Sequence, residues 1–171
     1  VDDSMSVDSD DGAISEEFTY EEPEYKYATV DTDGNLTDID LDLSIYNDDD
    51  SMEMGYNNFK CSLNGDVFFT AGSNNEKIVQ FDGKTFEEKN IYEAWINDFF
   101  LVGDSLIIYE LDSLVEYDTT NGKEKGNLEA LEKATISENS NYYPNFVNSG
   151  SKDKIYYYNT LGLYEYDMKS K

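Results

Sequence analysis

The chain has no histidine and no arginine, and its only cysteine is Cys61. Histidine is the commonest general base and transition-metal ligand, so its absence excludes catalytic sites of the serine-histidine or cysteine-histidine kind. Without arginine the chain lacks the two-pronged donor that usually holds phosphate groups and base edges. A single cysteine also excludes an internal disulfide bond.

Positive charge and long apolar runs are scarce as well. There are 12 lysines against 38 aspartates and glutamates, which gives a formal net charge of -26. Such a balance repels nucleic-acid phosphates and anionic lipid head groups. No apolar run approaches the roughly 18 residues that a membrane-spanning helix needs. We therefore expect no nucleic-acid partner and no transmembrane segment.

The 171 residues suffice for one domain with a tail. Residues 1–24, "VDDSMSVDSDDGAISEEFTYEEPE", are mostly aspartate, glutamate and serine, with little apolar surface to bury. Such a segment cannot offset the entropy lost on ordering. The sequence therefore predicts a disordered acidic tether over residues 1–24 and a folded domain over residues 25–171.

The folded part shows a periodicity of two and repeated turn signals. Apolar and polar residues alternate around four dipeptides that favour tight turns, which are Asp33-Gly34, Asn64-Gly65, Asp82-Gly83 and Asn121-Gly122. Short strands joined by such turns predict an all-β domain. One segment, Asn127 to Ile136, has apolar residues at roughly helical spacing and is expected to form a short helix or a loop between repeats.

A pattern of two strands occurs three times, at Gly65–Asp82, Gly103–Asp118 and Asp153–Asp167. Each copy has an apolar strand, a polar break, and a second strand that ends in Phe-Asp or Tyr-Asp. We expect the two strands of a copy to pair with each other. The first strand should be buried on both faces, the second should expose one face, and the closing aspartate should cap the following turn.

This arrangement is that of the blades of a β-propeller, in which each sheet buries its faces against the next. The repeated residues resemble the degenerate propeller repeats of bacterial secreted proteins and lipoproteins, over about Lys26 to Lys171. The acidic tail is similar to the tether that follows the lipid anchor of Gram-positive surface lipoproteins. The resemblance implies an extracellular, cell-surface location, and an accessory region of a solute-binding lipoprotein is one form it could take.

The number of copies departs from a complete propeller. About three blades are present after a leading hairpin, whereas closure usually needs at least about four. The chain also stops at "YDMKSK", where a turn and an outer strand should follow. We therefore expect a partial propeller whose partners are further blades or domains of the same parent chain. An open β-sandwich or a stack of hairpins is the alternative architecture.

A metal site is one functional candidate. In "DTDGNLTDID", oxygen-bearing side chains alternate at Asp31, Asp33 and Asn35, as in the opening of a calcium loop. The glycine that such a loop needs at its sixth position is replaced by Leu36. A tight hairpin turn explains the same residues, so calcium is the only cofactor that the sequence leaves open.

Aromatic residues are the second candidate. Tyr142, Tyr143, Tyr156 and Tyr158 are close in sequence, and Trp95 is the only tryptophan. Tyrosine rings beside Asn and Asp on a rigid sheet suit recognition of a sugar or a peptide. The alternative for the tyrosines is a place in the core of a blade, and the alternative for Trp95 is packing between blades.

Three functions remain compatible with these features. The first is a non-catalytic extracellular module that binds a protein or a carbohydrate, or serves as a scaffold. The second is a glycoside hydrolase built from paired carboxylates, which needs no histidine. The third is a calcium-dependent carbohydrate-binding domain.

Overall fold

The structure is a computed structural model that describes residues 27–30, 32–39, 41, 44–46, 58–72, 76–135 and 144–170. The chain divides into two compact units, Val1–Asp40 and Leu41–Lys171. The strands are β1 (Tyr27–Val30), β2 (Leu36–Ile39), β3 (Phe59–Cys61), β4 (Val67–Ala71), β5 (Lys77–Phe81), β6 (Glu88–Glu93), β7 (Asp98–Val102), β8 (Ser105–Glu110), β9 (Ser113–Asp118), β10 (Glu124–Asn127), β11 (Asn145–Val147), β12 (Lys154–Asn159) and β13 (Gly162–Asp167). A 3-10 turn occupies Ser44–Tyr46 and the α-helix α1 occupies Glu129–Thr135.

In the first unit, β1 and β2 form an antiparallel hairpin in which Tyr27 pairs with Ile39 and Val30 with Leu36. The predicted turn lies between them, and Gly34 has a φ of 85°, which favours glycine. The predicted acidic tether over residues 1–24 lies outside the described residues.

The second unit contains three antiparallel sheets in chain order. Sheet 1 has the strand order β3-β4-β5-β6, sheet 2 has β10-β9-β8-β7, and sheet 3 has β11-β12-β13. Within each sheet, strands that pair are therefore consecutive in sequence. The other three predicted turn dipeptides lie between β3 and β4, β5 and β6, and β9 and β10. The all-β prediction and the antiparallel hairpin repeats are confirmed.

The two strands of each repeat pair with each other, as predicted. Leu106 lies opposite Tyr117 and Tyr109 opposite Leu114 in sheet 2. The same pairing joins β4 to β5 in sheet 1 and β12 to β13 in sheet 3. The registers align the three sheets position by position, because Phe68 pairs with Gln80, Ile107 with Glu116 and Tyr156 with Glu165.

Side chains of the three sheets alternate between two faces, which we name by chain direction. The forward face carries the pairs Phe68/Gln80, Ile107/Glu116 and Tyr156/Glu165, and the rear face is the opposite one. Phe68 and Ile78 on the forward face of sheet 1 pack with Phe99 and Leu106 on the rear face of sheet 2. The forward face of sheet 2 packs in turn with the rear face of sheet 3, through residues such as Ile107 and Ile155.

The closing aspartate of each repeat caps the next turn, as predicted. The Asp82 carboxylate accepts hydrogen bonds from the backbone N–H groups of Lys84 and Thr85, at 2.9 and 3.1 Å. Asp118 accepts a hydrogen bond from the backbone N–H of Thr120 at 2.9 Å, and Asp167 accepts one from the backbone N–H of Lys169 at 2.8 Å. The two backbone bonds favour the ionised form of Asp82 and lower its pKa. The pKa of Asp118 is lowered first by a hydrogen bond from the Thr120 hydroxyl at 2.6 Å and then by the backbone bond.

The predicted exposure of the second strands is wrong for sheets 1 and 2. Gln80 on β5 is fully buried, and Glu116 on β9 is buried as well. The reason is that the next sheet covers each forward face. Two-sided burial of the first strand is wrong for β12, because Tyr158 on its forward face is exposed while Ile155 on its rear face is buried.

A hydrogen-bond network makes the burial of Gln80 possible. Its amide nitrogen donates to the Asp66 carboxylate at 2.7 Å and to the Thr119 carbonyl of sheet 2 at 3.0 Å. Its amide oxygen accepts from the Tyr92 hydroxyl at 2.7 Å and from the Asn90 amide at 2.8 Å. The Gln80 side chain therefore has partners for both of its polar atoms and links sheet 1 to sheet 2.

The helical alternative for Asn127 to Ile136 is correct over Glu129–Thr135. Leu128 and Leu131 are buried in the cluster between sheets 2 and 3. Glu132 accepts a hydrogen bond from the backbone N–H of Leu114 at 2.7 Å, which ties the helix to β9. None of the helices in the described part of the chain has the length and apolarity to cross a membrane.

Candidate functional site

The first strands of the three sheets are neighbours, because β7 lies next to both β3 and β11. Where these strands begin, an open cleft of about 770 Å³ is present. Its lining comes from all three sheets and consists of Asn58, Lys60, Asn97, Asp98, Tyr109, Leu111, Pro144, Asn145, Phe146 and Tyr158. The cleft therefore depends on the repeat, since each sheet contributes the start of one strand.

A similar dipeptide stands at the start of each of these strands. Asn58-Phe59, Asp98-Phe99 and Asn145-Phe146 are each an Asn or Asp followed by Phe. The polar residue of each pair lines the cleft. The sequence analysis missed this repeated pair, although its three occurrences are the signal that could have identified the site.

An ion pair lies on one wall of the cleft. The Lys60 ammonium is 2.7 Å from the Asp98 carboxylate, and it also donates to the Phe99 carbonyl. It lies 4.5 Å from the centre of the Phe99 ring. The backbone N–H of Phe99 donates to Asp98 at 2.8 Å. Lys60 and Asp98 are the only charged residues of the cleft lining in the described part of the chain, so their charges cancel.

Aromatic side chains form the floor. Phe146 is stacked on Phe100 with ring centres 4.4 Å apart, and Tyr109 meets Phe146 edge to face at 5.9 Å. Both Phe146 and Tyr109 are buried. Stacked and edge-on arrangements are the favourable geometries of aromatic pairs, so these rings form a packed floor.

The structure separates the predicted aromatic residues. Tyr158 lines the cleft, is 49% exposed, and lies opposite Asn145 in the sheet register. Tyr156 lies outside the cleft and donates its hydroxyl to Glu165 at 2.8 Å, which raises the pKa of Tyr156. Tyr142 and Tyr143 lie outside the described residues.

Trp95 lies in the loop between β6 and β7, two residues before Asn97. The residue is 70% exposed, so it is not packed between the described sheets. Trp95 is not part of the cleft lining, although its loop leads directly into it.

The predicted calcium ligands lie at the hairpin of the first unit. Asp33 and Asn35 are in the turn between β1 and β2, and Asp31 lies outside the described residues. Over the described ranges, no three Asp, Glu, Cys or His side chains are grouped as metal ligands would be. Calcium binding therefore stays a prediction.

A hydrolase with paired carboxylates would place an acid of raised pKa in its cleft. Burial, followed by the nearby Glu124 carboxylate, raises the pKa of Glu110. Glu110 is not among the residues that line the cleft. Asp98, the acid that does line it, is held by Lys60.

The forward face of sheet 3 is a second surface, and among the described strands of the second unit no sheet packs on it. Leu163 is 72% exposed there, whereas Leu114 at the equivalent position of sheet 2 is fully buried. Glu165 accepts hydrogen bonds from Lys154 at 2.6 Å and from Tyr156 at 2.8 Å. Its carboxylate is thus paired within its own sheet.

No protein-family model, curated protein or solved structure matches the chain.

Proposed function

We propose that the chain is a non-catalytic binding module of an extracellular bacterial surface protein, and that the cleft where β3, β7 and β11 begin is its binding site. The observation that carries the proposal is the cleft itself. Three sheets supply equivalent Asn or Asp residues around a packed aromatic floor. A concave site with a few placed polar groups on a rigid scaffold is the usual form of a ligand site.

The chemistry of the cleft favours binding over catalysis. Its two charged groups neutralise each other at 2.7 Å, which leaves no free carboxylate and no free ammonium group for proton transfer among the described lining residues. The extracellular location rests on the resemblance of the repeats and of the acidic tail to those of bacterial secreted proteins and lipoproteins.

Binding can be tested by NMR with the isotopically labelled chain and a library of sugars and peptides. We expect the backbone resonances of Asn97, Asn145 and Tyr158 to shift together with at least one class of ligand. The opposite outcome is turnover of a glycoside, ester or peptide substrate that is abolished by Asp98→Asn, which would make the cleft an active site.

We further propose that the three sheets are consecutive blades of a propeller and that another such blade of the parent protein covers the forward face of sheet 3. Two junctions support this proposal. The equivalent faces of sheets 1 and 2 are each covered by the next sheet. Each face carries a buried polar side chain, Gln80 or Glu116, whose hydrogen-bond partners lie largely in its own sheet. Glu165 is paired in the same manner, so its burial would leave no unpaired charge.

A fusion protein tests the role as a scaffold. A second copy of residues 144–170, joined after Lys171, should cover Leu163 and raise the melting temperature of the chain. The matched control is the same fusion with Leu163→Glu, which should lose the gain. Equal melting temperatures for the chain and for both fusions would contradict the proposal.

A further inference from the structure

The three cleft asparagines have side chains available to a ligand. Asn58, Asn97 and Asn145 are exposed. Across the described residues, no side-chain hydrogen bond is found for these three amides. Each amide offers two donors and one acceptor that accepts two bonds. Groups of this kind match a ligand that both donates and accepts, as a hydroxyl does.

One aromatic ring in the cleft is also available for stacking. Tyr158 is 49% exposed, while the neighbouring rings of Tyr109 and Phe146 are buried. Tyr158 lies opposite Asn145 across β11 and β12, so its ring and the amide are cross-strand neighbours. An exposed ring beside an amide suits a ligand with one apolar face and polar edges, which describes a pyranose sugar.

Charge narrows the ligand class further. The chain carries a formal net charge of -26, which repels anionic ligands. The single acid of the cleft lining, Asp98, is bound to Lys60 at 2.7 Å and to a backbone N–H at 2.8 Å, so it offers no free anchor for a cation. A neutral ligand meets neither repulsion nor an unpaired charge.

We propose that the cleft binds a neutral carbohydrate, with Asn58, Asn97 and Asn145 bonded to sugar hydroxyls and Tyr158 stacked on a sugar ring. This inference rests on the proposed binding function and names its ligand class. The cleft volume of about 770 Å³ lies within the range of roughly 300–1,000 Å³ that is usual for ligand sites.

The test uses calorimetry and NMR on the whole chain. The probes are neutral hexasaccharides of glucose, mannose and xylose, an oligogalacturonate as the acidic sugar, and a lysine-rich peptide. We expect at least one neutral hexasaccharide to bind at the cleft, with a Kd that is the same at low and high salt. The acidic sugar should not bind.

Variants separate stacking from hydrogen bonding. Asn97→Ala and Tyr158→Ala should each weaken binding about tenfold, since each removes contact worth roughly one hydrogen bond. Tyr158→Phe keeps the ring and should retain binding. Asn127→Ala is the matched control, because this exposed asparagine lies at the end of β10 and outside the cleft lining.

Other outcomes overturn the inference in distinguishable ways. Absence of binding by any neutral hexasaccharide, or binding that Asn97→Ala and Tyr158→Ala leave unchanged, contradicts the carbohydrate site. Salt-sensitive binding of the peptide alone at the cleft refutes the ligand class but keeps the binding function. Failure of every probe to shift the cleft resonances, together with substrate turnover, refutes both.

Discussion

The forward faces of sheets 1 and 3 have the same register and opposite surroundings. Gln80 is fully buried beneath sheet 2 and is bonded to four groups. Glu165 occupies the same position in sheet 3 but is exposed, with Lys154 and Tyr156 as its partners. The strand pattern is thus the same whether or not a neighbouring sheet is present. Burial of a repeat face depends on that neighbour, and the repeat sequence alone does not determine it.

The largest effect is expected from the pair Leu114 and Leu163, which have identical side chains at equivalent positions. Leu114→Ala should reduce the free energy of unfolding by about 2–4 kcal/mol, because it removes a fully buried side chain and leaves a cavity. Leu163→Ala should change it by less than about 0.5 kcal/mol, because this side chain is 72% exposed. Urea unfolding of both variants gives the comparison.

Similar losses for the two leucine variants would contradict the comparison. They would mean that the forward face of sheet 3 is covered in solution, for example by a second copy of the chain. Sedimentation at several protein concentrations would show whether the chain self-associates. If a second copy covers the face, the stability lost in Leu163→Ala should also depend on protein concentration.

The buried polar network should give the next largest effect. Gln80→Leu leaves Asp66, Asn90 and the Tyr92 hydroxyl without their shared partner, and the expected loss is about 1–3 kcal/mol. Glu165→Leu is the matched change on the exposed face, and it should have little effect because water reaches its former partners. Thermal unfolding of the two variants at one pH measures the difference, and an equal loss in both would show that coverage does not matter.

The aspartates that cap the turns should stabilise the fold equally whether or not a neighbouring sheet covers the forward face. Asp118→Ala removes bonds from the backbone N–H and the hydroxyl of Thr120 and should cost about 1 kcal/mol at neutral pH. The folded-state pKa of Asp118 is lowered, so this stabilisation is present above its ordinary pKa of 3.8 and is lost as the pH falls through the lower folded value. The variant and the parent chain should therefore converge in acid.

Acid titration of unfolding, followed by circular dichroism, measures that convergence. Asp167→Ala in sheet 3 should destabilise the fold less than Asp118→Ala at neutral pH, since Asp167 accepts one backbone bond and Asp118 accepts two bonds from Thr120. A loss for Asp118→Ala that persists unchanged in strong acid would mean that packing, and not the ionised cap, is responsible.

The sequence was sufficient for the local features of the fold and insufficient for the site. Turn dipeptides, strand pairing and the closing aspartates were predictable because each depends on residues a few positions apart. The predicted exposure of Gln80 and Glu116 was wrong. The alternation of apolar and polar residues along a strand shows which side chains are polar, but it does not show whether another sheet covers them. The sequence analysis named Tyr158, which lines the cleft, but not the asparagines around it. The cleft brings together residues such as Asn58 and Tyr158 that are remote in sequence, so the repeated Asn/Asp-Phe pair was the signal that could have joined them.

The smallest expected effect has the opposite sign and concerns the strand ends of sheets 2 and 3. Glu110 ends β8 opposite Ser113, and the neutral Asn159 ends β12 opposite Gly162. Burial and the Glu124 carboxylate raise the pKa of Glu110 above its ordinary value of 4.5, so the native state disfavours its ionised form. Stability attributable to this group therefore falls as the pH rises through the folded pKa.

Glu110→Gln places a neutral amide at this strand end, as Asn159 does in sheet 3. The variant should raise the melting temperature slightly at neutral pH and not at all below the ordinary pKa of Glu110. Glu124→Gln is the control and should reproduce only part of the gain, because burial is the larger cause. A lower melting temperature for Glu110→Gln at neutral pH would show that the ionised carboxylate has a stabilising partner.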